Sequence, residues 1–480
     1  MQILRQISAR CARPVSTATS SRASKQSVQR GRPAKFHRHG PKGFIITLVA
    51  IFLLFVVGAM AALSIDVVTF YTARSEAQLA ADAGALAGAR VLANSGATSD
   101  SGDSTMLVNA QAIAKPIAAL VAQSNSVGGQ PLLPGNITVT TNGNGGSPCS
   151  QPQQVPNPCV TVQVTTTLPV FFARIWGNTQ VTISASATAE AYNPSGLATS
   201  SSNSQGVPIA PSCVKPWLLP NIDPTSSPGS PTQIFDTASG AIKNSALLGW
   251  ETPAGPGNIR FHTRCNGPCS TGSLTAEEWR YYQGDDTSFL PPTQSLPACT
   301  LTTNFQKSIA GCVATPIVCG GPPQSQVNIN TNPDGAVDQE AADAVNCLAH
   351  TSAQKGDTIT STIMPPTPFE FTAGDDNPLV EAGTLTSETQ TMVSDSIVTV
   401  PVFDNSPFGS GDVASPVTVI GFVQLFLQPT GRAVSPAGNP AYGIRTKVIN
   451  LVGCGTNANT TPPVYGNGAT AVPVRLISPP

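Results

Sequence analysis

The chain opens polar and turns abruptly apolar. Gly43 to Ile65 is a run of 23 residues without one charge. About 20 apolar residues cross the hydrocarbon core of a bilayer as a helix, so this run predicts a single transmembrane span over 43–65. A cleaved secretory signal has a shorter apolar region, and a core helix of this length normally keeps a polar face. The helical pattern continues past the run: no Pro occurs between Lys42 and Leu92, and Asn94-Ser95-Gly96 supplies a stop. A continuous helix of about 50 residues measures roughly 75 Å. Ala73, Ala77, Ala80, Ala81, Gly84, Ala87 and Gly88 form a stripe of small residues, with Gly84 and Gly88 in G-x-x-x-G spacing. Such a stripe lets helices approach closely, while Ala is also simply the best helix former.

Beyond it the period changes. Asp103 or Ser104 can cap a second helix to about Gln123, interrupted by Pro116. Strands are expected at Ile137–Thr141 and Cys159–Val164. A Leu168–Gly177 segment follows, then an alternating run over Val181–Tyr192 with Ala on its apolar face. Small inward side chains suit a helix lying close against a sheet. Ser195 to Gly206 is Ser-, Gly- and Asn-rich and reads as a flexible linker. Past it, Val417–Leu427, Ile444–Val452 and Val472–Ile477 read as strands, with one convincing helix over Val337–Ala349. The expected segments are 1–42, a basic tail; 43–65, the span; 66–192, a first exported module; 193–207, the linker; and 208–480, a β-rich exported module. The fold class is therefore α+β.

Charge orients this plan. Residues 1–42 hold ten Lys/Arg and no acid, whereas the remainder holds 15 basic against 26 acidic side chains, a net of −11. A basic tail can serve nucleic acid. Placed beside an apolar span, it instead marks the cytoplasmic side and meets anionic headgroups. Membrane lipids are thus the expected partner of this end, not nucleic acid. The orientation sends the rest of the chain out of the cytoplasm, and ten of the eleven cysteines lie there. Their spacings do not match zinc sites, so disulfides are expected. Cys149 and Cys159 flank a Pro-rich loop and form the one plausible local pair.

A set of positions resembles a known family. Gly43 opens the apolar helix and Asp66 closes it. Arg74 and Gln78 lead into Ala80-Ala81-Asp82-Ala83-x-Ala85-Leu86-Ala87. This is similar to the N-terminal signature of TadE/TadG-like proteins of bacterial tight-adherence (Flp-type) pilus assembly; Gly84 stands where the family usually has Ala. The Phe171…Trp176-Gly177…Ala-x-Ala block looks like the close of that family's exported region. The resemblance implies a long pilin-like helix packed on an antiparallel sheet. It also implies residence in the bacterial inner membrane and partners among pilus-assembly or secretion platform proteins, with self-association a further possibility. Lys42-Gly43-Phe44 is similar to a prepilin peptidase site. The fifth residue from Phe44 is Leu48, where mature pilins carry Glu, so an uncleaved chain is expected.

No convergent chemistry emerges. The motifs G-x-S-x-G, H-E-x-x-H and the phosphate loop are missing, and only His262 and His350 lie beyond the span. The expectation is a non-enzymatic protein without catalytic, cofactor or metal residues. Asn330-Thr-Asn332-Pro-Asp334-Gly335 resembles the start of a calcium loop, but Ala341 stands at the twelfth position, and a turn is the better reading. Asp404-Asn-Ser406 begins a D-x-S-x-S metal pattern that Phe408 ends. Asp66 is expected at the hydrated membrane interface, either as a partner contact or as a simple stop. The alternative to a pilus-assembly role is an anchored surface-binding protein with 208–480 as its binding head.

Overall fold

The computed structural model describes residues 42–99, 104–141, 157–177, 179–195, 208–223, 225–226, 232–250, 280–281, 289–290, 301–328, 337–349, 356–359, 368–375, 377–406, 416–428, 446–456, 463–466 and 470–477. Two compact units divide the chain, Met1–Ala61 and Ala62–Pro480. Helix α1 (Lys42–Asn94) has residues in both. In the first unit its side chains, Ile45, Ile46, Leu48, Phe52 and Phe55 among them, are exposed on every side. A helix apolar all round has no stable place in water, and this stretch is long and apolar enough to cross a membrane.

In the second unit α1 becomes one-sided. Asp66, Ala73, Ala77, Ala80, Ala81, Ala85 and Ala89 are buried, a spacing of three and four that follows one helical face. Against this face lies α2 (Ser104–Gln123), with Met106, Ala110, Ala114, Ala118 and Ala122 buried at every fourth position. Pro116 does not interrupt α2 as its sequence led us to expect. The proline is exposed, and the carbonyl it leaves without an amide partner belongs to exposed Ala112. By length and composition α2 could also cross a membrane, but its alanine face is spent in the core.

The helices pack on a four-stranded antiparallel sheet. Strands β1 (Ile137–Thr141), β2 (Cys159–Pro169) and β3 (Gln180–Ala191) form three of its members. Val160, Val162, Val164 and Leu168 of β2, with Ile183, Ala185, Ala187 and Ala189 of β3, turn inward. The β2–β3 register is unbroken from Cys159↔Glu190 to Pro169↔Gln180.

A second sheet occupies the remainder of the unit. β4 (Trp217–Pro220) pairs in parallel with β5 (Ile397–Phe403), and β6 (Val417–Leu427) runs antiparallel between β5 and β7 (Thr446–Gly453). β5 and β7 are buried throughout and β6 nearly so, as expected of strands covered on both faces. Besides α3 (Val337–Leu348), the region forms a helix over Asn304–Ala310. Thr303 caps its first turn from the side chain, and Gln306 reaches back, a capping box that sequence inspection overlooked. Disulfides join Cys213 to Cys312 and Cys319 to Cys454; Cys159 and Cys347 are also disulfide-bonded. Cys149 lies outside the described residues.

These two regions share one core cluster, running from Ala73 through Val164 to Phe422, Ile449 and Val472. The last strand, β8 (Val474–Ile477), returns to the first sheet and pairs with β3, Val474 opposite Ala191 and Ile477 opposite Thr188. Buried Glu190 of β3 fastens it. Its Oε1 accepts from Arg475 Nε at 2.6 Å and its Oε2 from Asn157 Nδ2 at 3.1 Å. Asn193 and Ser195, expected in the flexible linker, are buried instead. Asn193 donates to the carbonyls of Thr98 and Leu451 at 3.1 and 2.9 Å, so the linker's first residues are structural. Residues 196–207 lie outside the described set.

Candidate functional site

Asp66 follows immediately on the apolar run, and its surroundings differ from the hydrated interface expected for it. The side chain is 1% exposed. Its Oδ1 accepts from the amide of Phe171 at 3.2 Å, and its Oδ2 from those of Phe172 at 3.0 Å and Ala173 at 2.8 Å. These three amides lead into a short 3-10 turn, Ala173–Trp176, that ends on Gly177 at φ 88°. The first amides of such a turn have no partner within it and carry partial positive charge. A carboxylate seated there satisfies three donors and is itself compensated by charge-assisted bonds. The β2–β3 hairpin loop is thereby fixed to α1 at the first residue after the apolar run. The sequence signal was an acid placed directly after the run; its partners, main-chain amides some hundred residues away, have no side-chain signature.

The other signature positions divide by face. Gly43 lies in α1, within the first unit. Arg74 is exposed. Gln78 donates from Nε2 to Asp82 Oδ1 at 2.8 Å and to the Ser186 carbonyl at 3.2 Å, tying α1 to β3. Ala81 is fully buried, and Leu86 packs against the core from a half-buried position. Gly84 and Gly88 allow the close approach: a Cβ on Gly84 would lie 2.8 Å from the Ala118 carbonyl oxygen, and one on Gly88 2.9 Å from a Val160 methyl. The small-residue stripe is therefore occupied by α2 and β2 of the same chain. Sequence inspection missed Glu76, which accepts from the Gly128 amide at 2.6 Å.

The far end of α1 is received by the second sheet. Asn450 of β7 donates from Nδ2 to the Ala93 carbonyl at 2.6 Å and to Gln424 Oε1 at 2.6 Å. Ser99 bonds both ways with Leu451, its Oγ accepting the amide at 2.9 Å and donating to the carbonyl at 3.1 Å. Met392 accepts from Asn94 Nδ2 at 3.3 Å, and the Phe369 amide donates to the Ser95 carbonyl at 3.2 Å. Single Asn and Ser residues of this kind are common in any chain, which is why their role was illegible.

Among the described residues no group of three or more His, Cys, Asp or Glu is placed to hold a metal. The calcium-like loop at 330–335, His262 and His350 lie outside them. Asp404 closes a local turn, Oδ1 accepting from the Ser406 amide at 2.9 Å. Lys215 is buried and donates from Nζ to the carbonyls of Ile309 and Gly311. Burial pushes its pKa down to about 8, against a partly restoring attraction from Asp395. An ammonium bonded to these main-chain carbonyls holds the end of the 304–310 helix against the segment that leads into β4.

Residues 43–91 match the family model of Tad, described as Flp pilus-assembly TadE/G-like, and residues 72–189 match that of Tad_C, Tad-like Flp pilus-assembly. The chain thus carries a TadE/TadG-like module from Gly43 to Ala189, comprising α1, α2 and the first three strands. Over residues 43–189 the matches indicate a Flp/Tad pilus-assembly-related protein. No curated protein and no solved structure matches it.

Proposed function

We propose that this protein is a membrane-anchored, non-enzymatic, TadG-like component of a Flp-type pilus-assembly or secretion system. The apolar stretch of α1 spans the bacterial inner membrane once. The basic tail remains cytoplasmic, and everything from about residue 66 is exported. The observation that carries the reading is the joining of two properties in α1. Its first part is apolar on all sides, whereas its second part is an alanine-faced scaffold whose signature residues build a rigid module. Two disulfides with sequence separations of 99 and 135 fit an oxidising exterior. Action is through contact: lipids around the span, and platform proteins or further copies of the chain outside it. The chain is retained uncleaved at Gly43, because Leu48 supplies no carboxylate for a neighbour's amine. Neither a cofactor nor nucleic acid has a part in this reading, and residues 208–480 are bound into the module as its second half.

The test is genetic and biochemical together. Deleting the gene is expected to abolish pili or the associated secretion, and the tagged chain is expected to co-purify platform proteins from detergent extracts. Pili that persist, with only surface binding lost, would overturn the assembly role in favour of a binding head. A reporter enzyme active only outside the cytoplasm, fused after Pro480, reads the orientation. Intact mass of the extracted chain decides cleavage at Gly43.

A further inference from the structure

The loop held by Asp66 ends in two exposed aromatic side chains. Phe171 is 65% exposed and Phe172 is also exposed, while their own amides are bound by the buried carboxylate. Exposing a phenylalanine to water forgoes about 1.5–3 kcal/mol of burial free energy, so two adjacent ones on a rigid tip need a reason. The tip is not free to hide them, because three hydrogen bonds from its amides to Asp66 and the Gly177 turn set its conformation. Around Asp66, α1 exposes Leu63, Ile65, Val67, Val68 and Tyr71 in the same unit. The three bonds to Asp66 therefore place the loop beside the turn of α1 that carries Leu63 and Ile65, the end of the apolar run. Arg174, three residues on from Phe171, is exposed and positive.

We propose that the 170–177 loop is a second membrane contact: Phe171 and Phe172 enter the headgroup–acyl boundary beside the span, and Arg174 meets lipid phosphates. Aromatic residues favour this depth, and cationic side chains beside them favour anionic headgroups. Asp66 is the positioning residue, since it fastens the loop where the apolar run ends. A helix alone leaves the exported unit free to tilt and swivel on one pivot. A second contact a loop's width away fixes its orientation on the membrane surface, the property that an assembly platform component requires. The inference rests on the anchored reading above.

The full-length chain, expressed in bacteria with the photocrosslinking residue p-benzoylphenylalanine at position 171, tests it on irradiation of intact membranes. The same probe at Val393 is the control. Val393 is exposed and follows Met392, which is bonded to Asn94; that residue lies 28 positions up α1, about 42 Å from Asp66. Intact-mass spectra are expected to show phospholipid adducts at 171 and none at 393. Crosslinks from 171 to protein, no adduct in a chain that survives an alkaline wash of the membranes, or equal lipid labelling at 393 would each overturn the loop contact. A chain that washes off the membrane overturns the anchored reading itself, and this proposal with it.

Discussion

The two halves of the second compact unit exclude water by opposite means. Between α1, α2 and the first sheet the facing helix surfaces are mostly alanine and glycine, set against Val160, Val162 and Val164 of the sheet, with backbones drawn close enough that Gly84 and Gly88 have no room for a methyl. Around the second sheet the filling is large: Trp217, Phe403, Phe422 and Phe426 are fully buried, and Phe371 stacks on Phe426 at 5.5 Å. The first design takes its stability from many short backbone approaches, and the second from a few bulky side chains. Each is thus vulnerable to the opposite change. Truncation should injure the second region, and enlargement the first.

The largest expected effect lies on that contrast. Phe426→Ala should lower unfolding free energy by about 4 kcal/mol, while Ala118→Gly in the first region should cost about 1 kcal/mol. Urea unfolding of the full chain in detergent, followed by intrinsic fluorescence, measures both; equal losses would break the comparison. Next is the reverse change. Gly84→Val drives a side chain against the Ala118 carbonyl and should cost about 3 kcal/mol in the same assay, with loss of the native near-UV dichroism. Asp66→Ala should cost about 2 kcal/mol by leaving the amides of Phe171, Phe172 and Ala173 without their acceptor. Faster hydrogen exchange at those three amides, with the helix interior unchanged, separates a local loop release from general unfolding.

The last expected effect is a slope with pH. Lys215 keeps its proton less well folded, with a pKa of about 8, than unfolded, near 10.5. Between those values the unfolded chain binds more protons, so stability should rise with pH, by at most about 1.4 kcal/mol per unit. Burial raises the Tyr192 phenol above its ordinary value of 10.0, so above that pH the unfolded chain sheds a proton that the folded one keeps, and stability falls. The upward slope is therefore expected over about pH 8 to 10 and should vanish in Lys215→Met.

What was legible in the sequence was what a single element states by itself. The apolar run announced α1, alternation announced β3, and β1 and β6 also read as strands, within a residue of their observed ends in each case. The alanine spacing announced a close-packed face, although not whether that face would meet another chain or this one. Asp66 stood out because a charge ending an apolar run is conspicuous. Its partners did not, since an amide has no residue type to betray it. The split between a first and a second exported module rested on a Ser-rich stretch, and composition carries no information about pairing across it. Closure of the first sheet by β8, nearly three hundred residues from β3, could not be read from either strand.

Sequence alone therefore determined the long apolar helix, the charge asymmetry around it, several strands and the TadE/TadG-like signature, because hydrophobic period and charge act locally along the chain. The tertiary structure decided the rest. It set which face the small residues cover, the burial of Asp66 on three amides, the reception of the end of α1 by β7, and the return of β8. Each depends on groups distant in sequence meeting in one geometry, and no local pattern encodes a hydrogen bond between an ordinary asparagine and an ordinary carbonyl.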